Sequence, residues 1–261
     1  MNRVILVTGA TSGIGLETYQ LFKEQGDIVY SLSRRSSTDP CHISCDVSDQ
    51  TAVQEAIEYL IKKEHHIDIV VNAAGYGISG AVEYTDINEA KRQFEVNFFG
   101  MVNINKEVIR YMRQHNGGTI INISSVAGVV PLPFQTYYAA SKAAINSYTQ
   151  SLANELRPYH IRVTAIMPGD IKTGFTAARK QINDGDEAYQ GRIARSVQRM
   201  EHDETQGMAP LRIAQACVRI ARKKHPKALY SVGLSYKAVC VLVKLLPVRL
   251  ANYIIYNIYA K

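Results

Sequence analysis

Tyr138 and Lys142 stand four residues apart in the run Tyr137-Tyr138-Ala139-Ala140-Ser141-Lys142. On a helix that spacing puts both side chains on one face, one turn apart. A free phenol has a pKa of about 10 and is a poor proton donor or base near neutrality. An ammonium group held beside it favours the phenolate and lowers that pKa, which makes the phenol a usable general acid/base. Tyr137 is five residues from Lys142 and points away from it, so Tyr138 is the candidate. Ser125 comes thirteen positions earlier, just past an apolar run, where a hydroxyl could hold the oxygen that Tyr138 protonates. Taken alone, Tyr-x-x-x-Lys describes a surface helix pair. Its neighbours decide otherwise.

The elements that must position these groups follow a strand–helix rhythm. Arg3 to Val7 is a short β-branched and aliphatic run, the mark of a strand buried on both faces. It feeds Thr8-Gly9-Ala10-Thr11-Ser12-Gly13-Ile14-Gly15 and then a helical pattern to about Gln25. Strand, glycine turn and helix make a phosphate cradle, because glycines let backbone approach a pyrophosphate and a helix N-terminus presents free N–H groups. The second strand, Ile28 to Ser33, ends in Ser33-Arg34-Arg35. Where an NAD site carries an acidic residue for the ribose 2′-hydroxyl, this chain has Ser33 and two arginines, which suit the 2′-phosphate of NADP(H).

A third strand, His42 to Cys45, ends at Asp46-Val47, beside the expected adenine position. A helix over Thr51 to Lys62 and a strand over Ile67 to Val71 follow. Asn72-Ala73-Ala74-Gly75 then offers small residues over which a cofactor can pass, with Asn72 fixing the turn. One long helix is expected from Asn88 to Gln114. Asn97 lies inside it among Phe94, Val96, Phe98 and Phe99, and a polar residue there asks for a kink or a water site. A strand over Thr119 to Ile123 leads to Ser124-Ser125, and a helix over Gln135 to Pro158 bears Tyr138 and Lys142. The strand Ile161 to Ile166 closes in Met167-Pro168-Gly169. This order implies an α/β fold, a Rossmann-type doubly wound parallel sheet with a ligand crevice at the carboxyl ends of its strands.

The polar stretch from Thr173 to about Pro210 breaks the rhythm and reads as a substrate lid, with Gly185 and Gly191 as hinges. A helix to about Lys224 and a strand near Ala228 to Val232 follow it. The expected organisation is a single domain, with residues 1–172 as cofactor and catalytic core, 173–210 as lid and 211–261 as C-terminal helix, strand and tail.

Composition excludes several classes. With 261 residues and 46% hydrophobic content, the chain can bury a sizeable core and is not a disordered one. Its first residues run straight into a strand, so no signal peptide is expected, and no apolar run reaches the roughly 18 residues of a spanning helix. Four cysteines make no disulfide framework, and Cys41-His42-Ile43-Ser44-Cys45 alternates too regularly for its ligands to converge, so no metal is expected. A reducing, cytoplasmic setting fits.

The net charge of +7 is uneven: ten basic residues and no acid follow Glu204, leaving 20 basic against 23 acidic residues before that point. That basicity comes with no nucleic-acid recognition motif. Tyr236 to Tyr259 mixes Val, Leu, Ile and Tyr with Lys237, Lys244 and Arg249. The first expectation for it is a core or dimer-interface helix with its charges in solvent. Peripheral contact with a membrane surface is the alternative.

Thr8-Gly9-x-x-x-Gly13-Ile14-Gly15, Asn72-Ala73-Ala74-Gly75, Asn97, Ser125, Tyr138-x-x-x-Lys142 and Pro168-Gly169, in this order and spacing, resemble the motifs of a classical short-chain dehydrogenase/reductase over essentially the whole chain. The resemblance implies a nicotinamide cofactor and a homo-oligomer, dimer or tetramer. It implies that Tyr138 exchanges a proton with a carbonyl or alcohol oxygen and that Ser125 hydrogen-bonds that oxygen. Lys142 would bind the nicotinamide ribose and lower the tyrosine pKa, and Asn97 would support a proton-relaying water. Ile171 and Thr173 would contact the carboxamide. The apolar loop Val126 to Phe134 points to a hydrophobic substrate. Lys244-Leu245-Leu246-Pro247-Val248-Arg249 resembles the hydroxysteroid and retinol dehydrogenase subgroup, which implies a steroid ketone or alcohol. Retinal or a long-chain aldehyde, or a ketoacyl or ketosphingoid substrate, is the alternative, and an NADP-binding regulatory protein is the non-enzymatic one.

Overall fold

The computed structural model describes residues 2–261, so Met1 of the expected uncleaved start lies outside it. Seven parallel strands form the central sheet: β1 (Val4–Thr8), β2 (Ile28–Ser33), β3 (His42–Ser44), β4 (Ile69–Asn72), β6 (Gly118–Ile123), β7 (Ile161–Met167) and β9 (Leu229–Ser231). Two further strands, β5 (Ile78–Ser79) and β8 (Lys180–Gln181), pair with each other instead. The order in the main sheet is β3-β2-β1-β4-β6-β7-β9. The chain winds outward from β1 to β3 and returns through β4, so the order reverses between β1 and β4. That is where an open parallel sheet leaves a ligand crevice.

Alternation along the strands divides the core in two. Val4 and Leu6 of β1 face α2 (Gln50–Glu64), α4 (Gly100–Gln114) and α5 (Thr136–Glu155). Ile5 and Val7 face α1 (Gly13–Glu24) and α8 (Leu211–Ala221) on the other side. A strand covered on both faces must be apolar throughout, and all five residues of β1 are buried. Asp49 starts α2 by accepting the backbone N–H groups of Thr51 and Ala52 at 2.9 and 3.1 Å.

Three departures from the sequence reading matter for the site. The expected helix over 88–114 is α3 (Ile87–Phe94) joined to α4 through one wider π-helical turn, Glu95–Phe99, with Asn97 at its centre. The segment 173–210, expected to be a lid, carries regular structure. It contains α6 (Phe175–Ala178), β8 and α7 (Arg192–Thr205), and β8 pairs in parallel with β5 just after the Asn72–Gly75 stretch. Short two-residue strands carry no periodicity to read.

The tail forms α9 (Leu234–Leu245) and α10 (Val248–Tyr259), which bury only Cys240 and Ala251 fully. They are therefore not core helices. No helix among the described residues is long and apolar enough to cross a membrane.

Candidate active site

Ser125 follows the carboxyl end of β6, and α5 begins beside it. The Ser125 hydroxyl accepts the backbone N–H of Ala127 at 3.0 Å, opening a tight turn over Val126–Gly128. The Tyr138 phenol faces Ser125 and is half-buried. Burial pushes its pKa up to about 12, and the Ser125 hydroxyl only partly opposes this. Lys142 is buried, and burial brings its pKa down to about 8. Its ammonium donates to the carbonyl oxygen of Ile123 at 2.9 Å and lies 5.7 Å from the Tyr138 ring centre.

The pair is thus on one face, as the spacing predicts, yet the predicted depression of the phenol pKa is absent. The lysine donates to a carbonyl at the end of β6, and desolvation by burial is the largest influence on the phenol.

The π-turn explains Asn97. Its amide is buried and clamps the backbone of Tyr76, accepting from the Tyr76 N–H and donating to the Tyr76 carbonyl, both at 2.9 Å. It also donates to Ser141 Oγ at 3.3 Å, and Ser141 donates to the Tyr138 carbonyl at 2.7 Å. A single wide turn aims this amide inward, as such turns do at functional sites. A Cβ added at Gly75 would stand 3.0 Å from Asn97 Oδ1 and 3.9 Å from Lys142 Nζ. Gly75, Asn97 and Lys142 therefore converge on one point.

The cofactor side is built around Gly9. Its φ of +66° suits glycine, and a Cβ there would lie 2.8 Å from the backbone of Ala74. Close approach of the glycine turn to the end of β4 is thus a steric requirement. Gly15 packs against the Gly9 carbonyl, and a Cβ added at Gly13 would stand 3.4 Å from the side chain of Thr173, so the glycine turn and Thr173 border one another. Thr11 and Ser12 are exposed, and Ile14 packs on the core face shared by α1 and α8. The N-terminus of α1 has no side-chain cap and no acid in its first turn, which leaves its N–H groups and dipole available to an anion. Ser33 ends β2, and Arg34 and Arg35 are exposed with no ion-pair partner among the described residues. These features fit a phosphorylated dinucleotide.

Several expected contacts have other partners. Asn72 does not fix the turn; it donates to Asn105 and Asn122 at 2.8 and 2.9 Å, tying β4 to β6 and α4. The turn is held by Thr8, whose hydroxyl accepts the N–H groups of Ala73 and Ala74 at 3.1 and 3.2 Å. Its place as last residue of a strand before glycine was the available signal. Asp46 accepts from Ser48 and from Arg92 at 3.0 Å; burial would raise its carboxyl pKa, but these donors outweigh burial and hold it low. Val47 is buried in the core, where its side chain leaves no room for a Cβ at Gly100.

At the other border, the Pro168 carbonyl accepts from the Val126 N–H, and Ile171 is buried and bridges to Met208. Thr173 Oγ accepts the N–H of Phe175 at 3.1 Å. Gly169 lies against the ring of Tyr236 from α9, whose hydroxyl donates to the Asp170 carboxylate at 2.8 Å and accepts the Asp170 N–H at 3.0 Å.

The lid adds groups that spacing did not disclose. Phe175 meets Tyr138 with ring centres 5.7 Å apart, and Arg179 pairs with Glu204 beneath it. The charges of Glu204, Arg179 and Asp170 all reach the Tyr138 phenol. Val126, Val130, Met167 and Cys240 form one buried apolar cluster, against which Val129, Leu132 and Tyr236 pack.

This fold and this set of side chains define an oxidoreductase. A family model described as short chain dehydrogenase matches residues 3–184, and the chain belongs to that family. It is 39% identical over 236 residues to a 3-ketodihydrosphingosine reductase of Bacteroides thetaiotaomicron, with 88% of each chain covered. A short-chain dehydrogenase from Streptomyces avermitilis superposes with a TM-score of 0.86 at 25% identity, covering 96% of this chain and 95% of that one. The closed form of serine dehydrogenase complexed with NADP+ superposes with a TM-score of 0.76 at 26% identity, covering 88% and 94%.

Proposed function

We propose that the protein reduces the ketone of a long-chain amino ketone, a 3-ketosphingoid base, with NADPH. Asp170 carries this reading. It is a partly buried carboxylate at the edge of the site whose side chain accepts from a neutral phenol, Tyr236, and has no cation within ion-pair distance among the described residues, with Arg179 acting on it only from farther away. An ammonium group next to the substrate carbonyl would supply the missing charge. Neutral steroids, retinoids and ketoacyl chains would not. The half-buried Val129 and Leu132, packed on the buried Val126, Val130 and Met167 cluster, offer apolar surface to a hydrocarbon chain, and the Bacteroides relative bears the name of a ketosphingoid reductase. The steroid expectation rested on Lys244–Arg249, but Leu245 and Val248 are 77% and 74% exposed and do not join the apolar cluster behind Ser125.

In this reading the uncapped N-terminus of α1 holds the pyrophosphate, Arg34 and Arg35 the 2′-phosphate, and the nicotinamide supplies a hydride when bound. Tyr138, protonated at neutral pH, donates its proton to the substrate oxygen that Ser125 holds. Lys142 then returns a proton to the phenolate, a transfer that a pKa of about 8 makes easy near neutrality. Asn97 and Ser141 keep the start of α5 in register with Tyr76. The test compares a 3-ketosphingoid base with a neutral ketone of equal chain length. Asp170→Asn should raise KM about tenfold for the amino ketone, consistent with loss of one partly buried ion contact, and leave KM for the neutral ketone unchanged. Equal effects on both would refute the assignment.

A further inference from the structure

Eleven large apolar side chains from Leu234 onward are exposed. On α9, Leu234, Val241 and Leu245 make one outer stripe, and Lys237 and Lys244, seven residues apart, border it. On α10, Leu250, Ile254 and Ile258 repeat every fourth residue, with Tyr253 and Tyr256 also exposed. Pro247 joins the two helices, and Arg249 lies just beyond it. Lys237, Lys244 and Arg249 are exposed, without ion-pair partners among the described residues, and the chain has no acid after Glu204.

We propose that the outer face of α9 and α10 docks on an anionic bilayer surface. Charge decides between occupants. A symmetric contact with a second copy would set these cations against the same cations, with no carboxylate in the segment to relieve them. A bilayer with anionic headgroups accepts both halves of the face: apolar side chains enter the acyl boundary, tyrosines sit at the headgroup level, and lysines and arginine meet phosphates. The docked element also belongs to the site. Tyr236 of α9 packs on Gly169 and bonds Asp170, and Cys240 joins the buried cluster of Val126, Val130 and Met167. This inference does not depend on which ketone is reduced.

Flotation of the intact protein with phosphatidylcholine vesicles, alone or mixed with phosphatidylglycerol, tests it. Binding should require the anionic lipid and weaken with added salt. The combined Lys237→Gln, Lys244→Gln and Arg249→Gln variant should bind roughly 100-fold more weakly, from three cations near the surface. Leu245→Ser with Ile254→Ser should also release the protein, with NADPH affinity unchanged as the check on folding. Absence of binding, equal binding to neutral vesicles, or an assembly in solution that Leu245→Ser dissociates would overturn the proposal.

Discussion

The ammonium of Lys142 is bonded to the carbonyl oxygen of Ile123 at 2.9 Å, so the lysine is anchored to the sheet before any ligand arrives. One hydrogen bond does not compensate a buried charge, and burial brings its pKa from 10.5 down to about 8. A lysine with a lower pKa folded than unfolded binds fewer protons when folded. The chain's stability should therefore rise as pH climbs from about 8 towards 10.5. Urea unfolding at both ends of that window should show the rise in the native protein and its absence in Lys142→Met. The variant should also melt a few degrees higher at pH 7, because an uncompensated buried charge has been removed.

Tyr138→Phe keeps the ring that packs against Phe175 and removes only the hydroxyl. Turnover should fall by about 100- to 10,000-fold, the range in which general acid catalysis operates, while NADPH binding followed by fluorescence stays near that of the native protein. Retained turnover would refute the proton-transfer role. In the native protein, reduction should fall as pH rises past about 8, when Lys142 loses the proton it returns to Tyr138.

Arg34 and Arg35 are exposed at the end of β2 with no acid to hold them. Two unpaired cations beside an uncapped helix terminus attract a dianion. Replacing both with serine should reduce NADPH affinity by about 10- to 100-fold, the worth of one or two charge-assisted hydrogen bonds. NADH affinity should stay constant. Parallel titrations with the two cofactors measure the difference directly.

The parts legible in the sequence were those that periodicity and glycine steric demands control. The buried aliphatic run Val4–Val7 of β1, the Gly9–Gly15 turn and the helix bearing Tyr138 and Lys142 were all readable this way. Side-chain partnership was less legible. Asn72 reads as a turn residue, but its amide finds two buried asparagines distant in sequence, while Thr8 takes over the turn. Asn97 signalled an irregularity, though not that the answer was a π-turn clamping Tyr76. The pairing of β5 with β8 and the approach of Phe175 to Tyr138 depend on the lid's path, which no local pattern encodes.

Arg179 ties α6 to α7 within the segment 173–210. Its side chain is 1% exposed, it pairs with Glu204, and its Nε and Nη1 have no acceptor among the described residues. Thr176 donates to the same carboxylate at 2.5 Å, so α6 and the end of α7 meet at Glu204. Replacing only Arg179 with methionine leaves Glu204 with its charge largely buried and unpaired. Breaking one side of a buried pair costs about 3–5 kcal/mol, whereas removing both charges is often neutral. Arg179→Met alone should therefore loosen the lid. Limited proteolysis should cut within residues 173–210 markedly faster, and KM should rise with kcat less affected. Adding Glu204→Gln keeps an acceptor for Thr176 and removes the stranded charge, so the double variant should regain most of the protease resistance. A double variant cut as fast as the single one would mean that the arginine acts through packing against Phe175, whose ring centre lies 5.9 Å from its guanidinium.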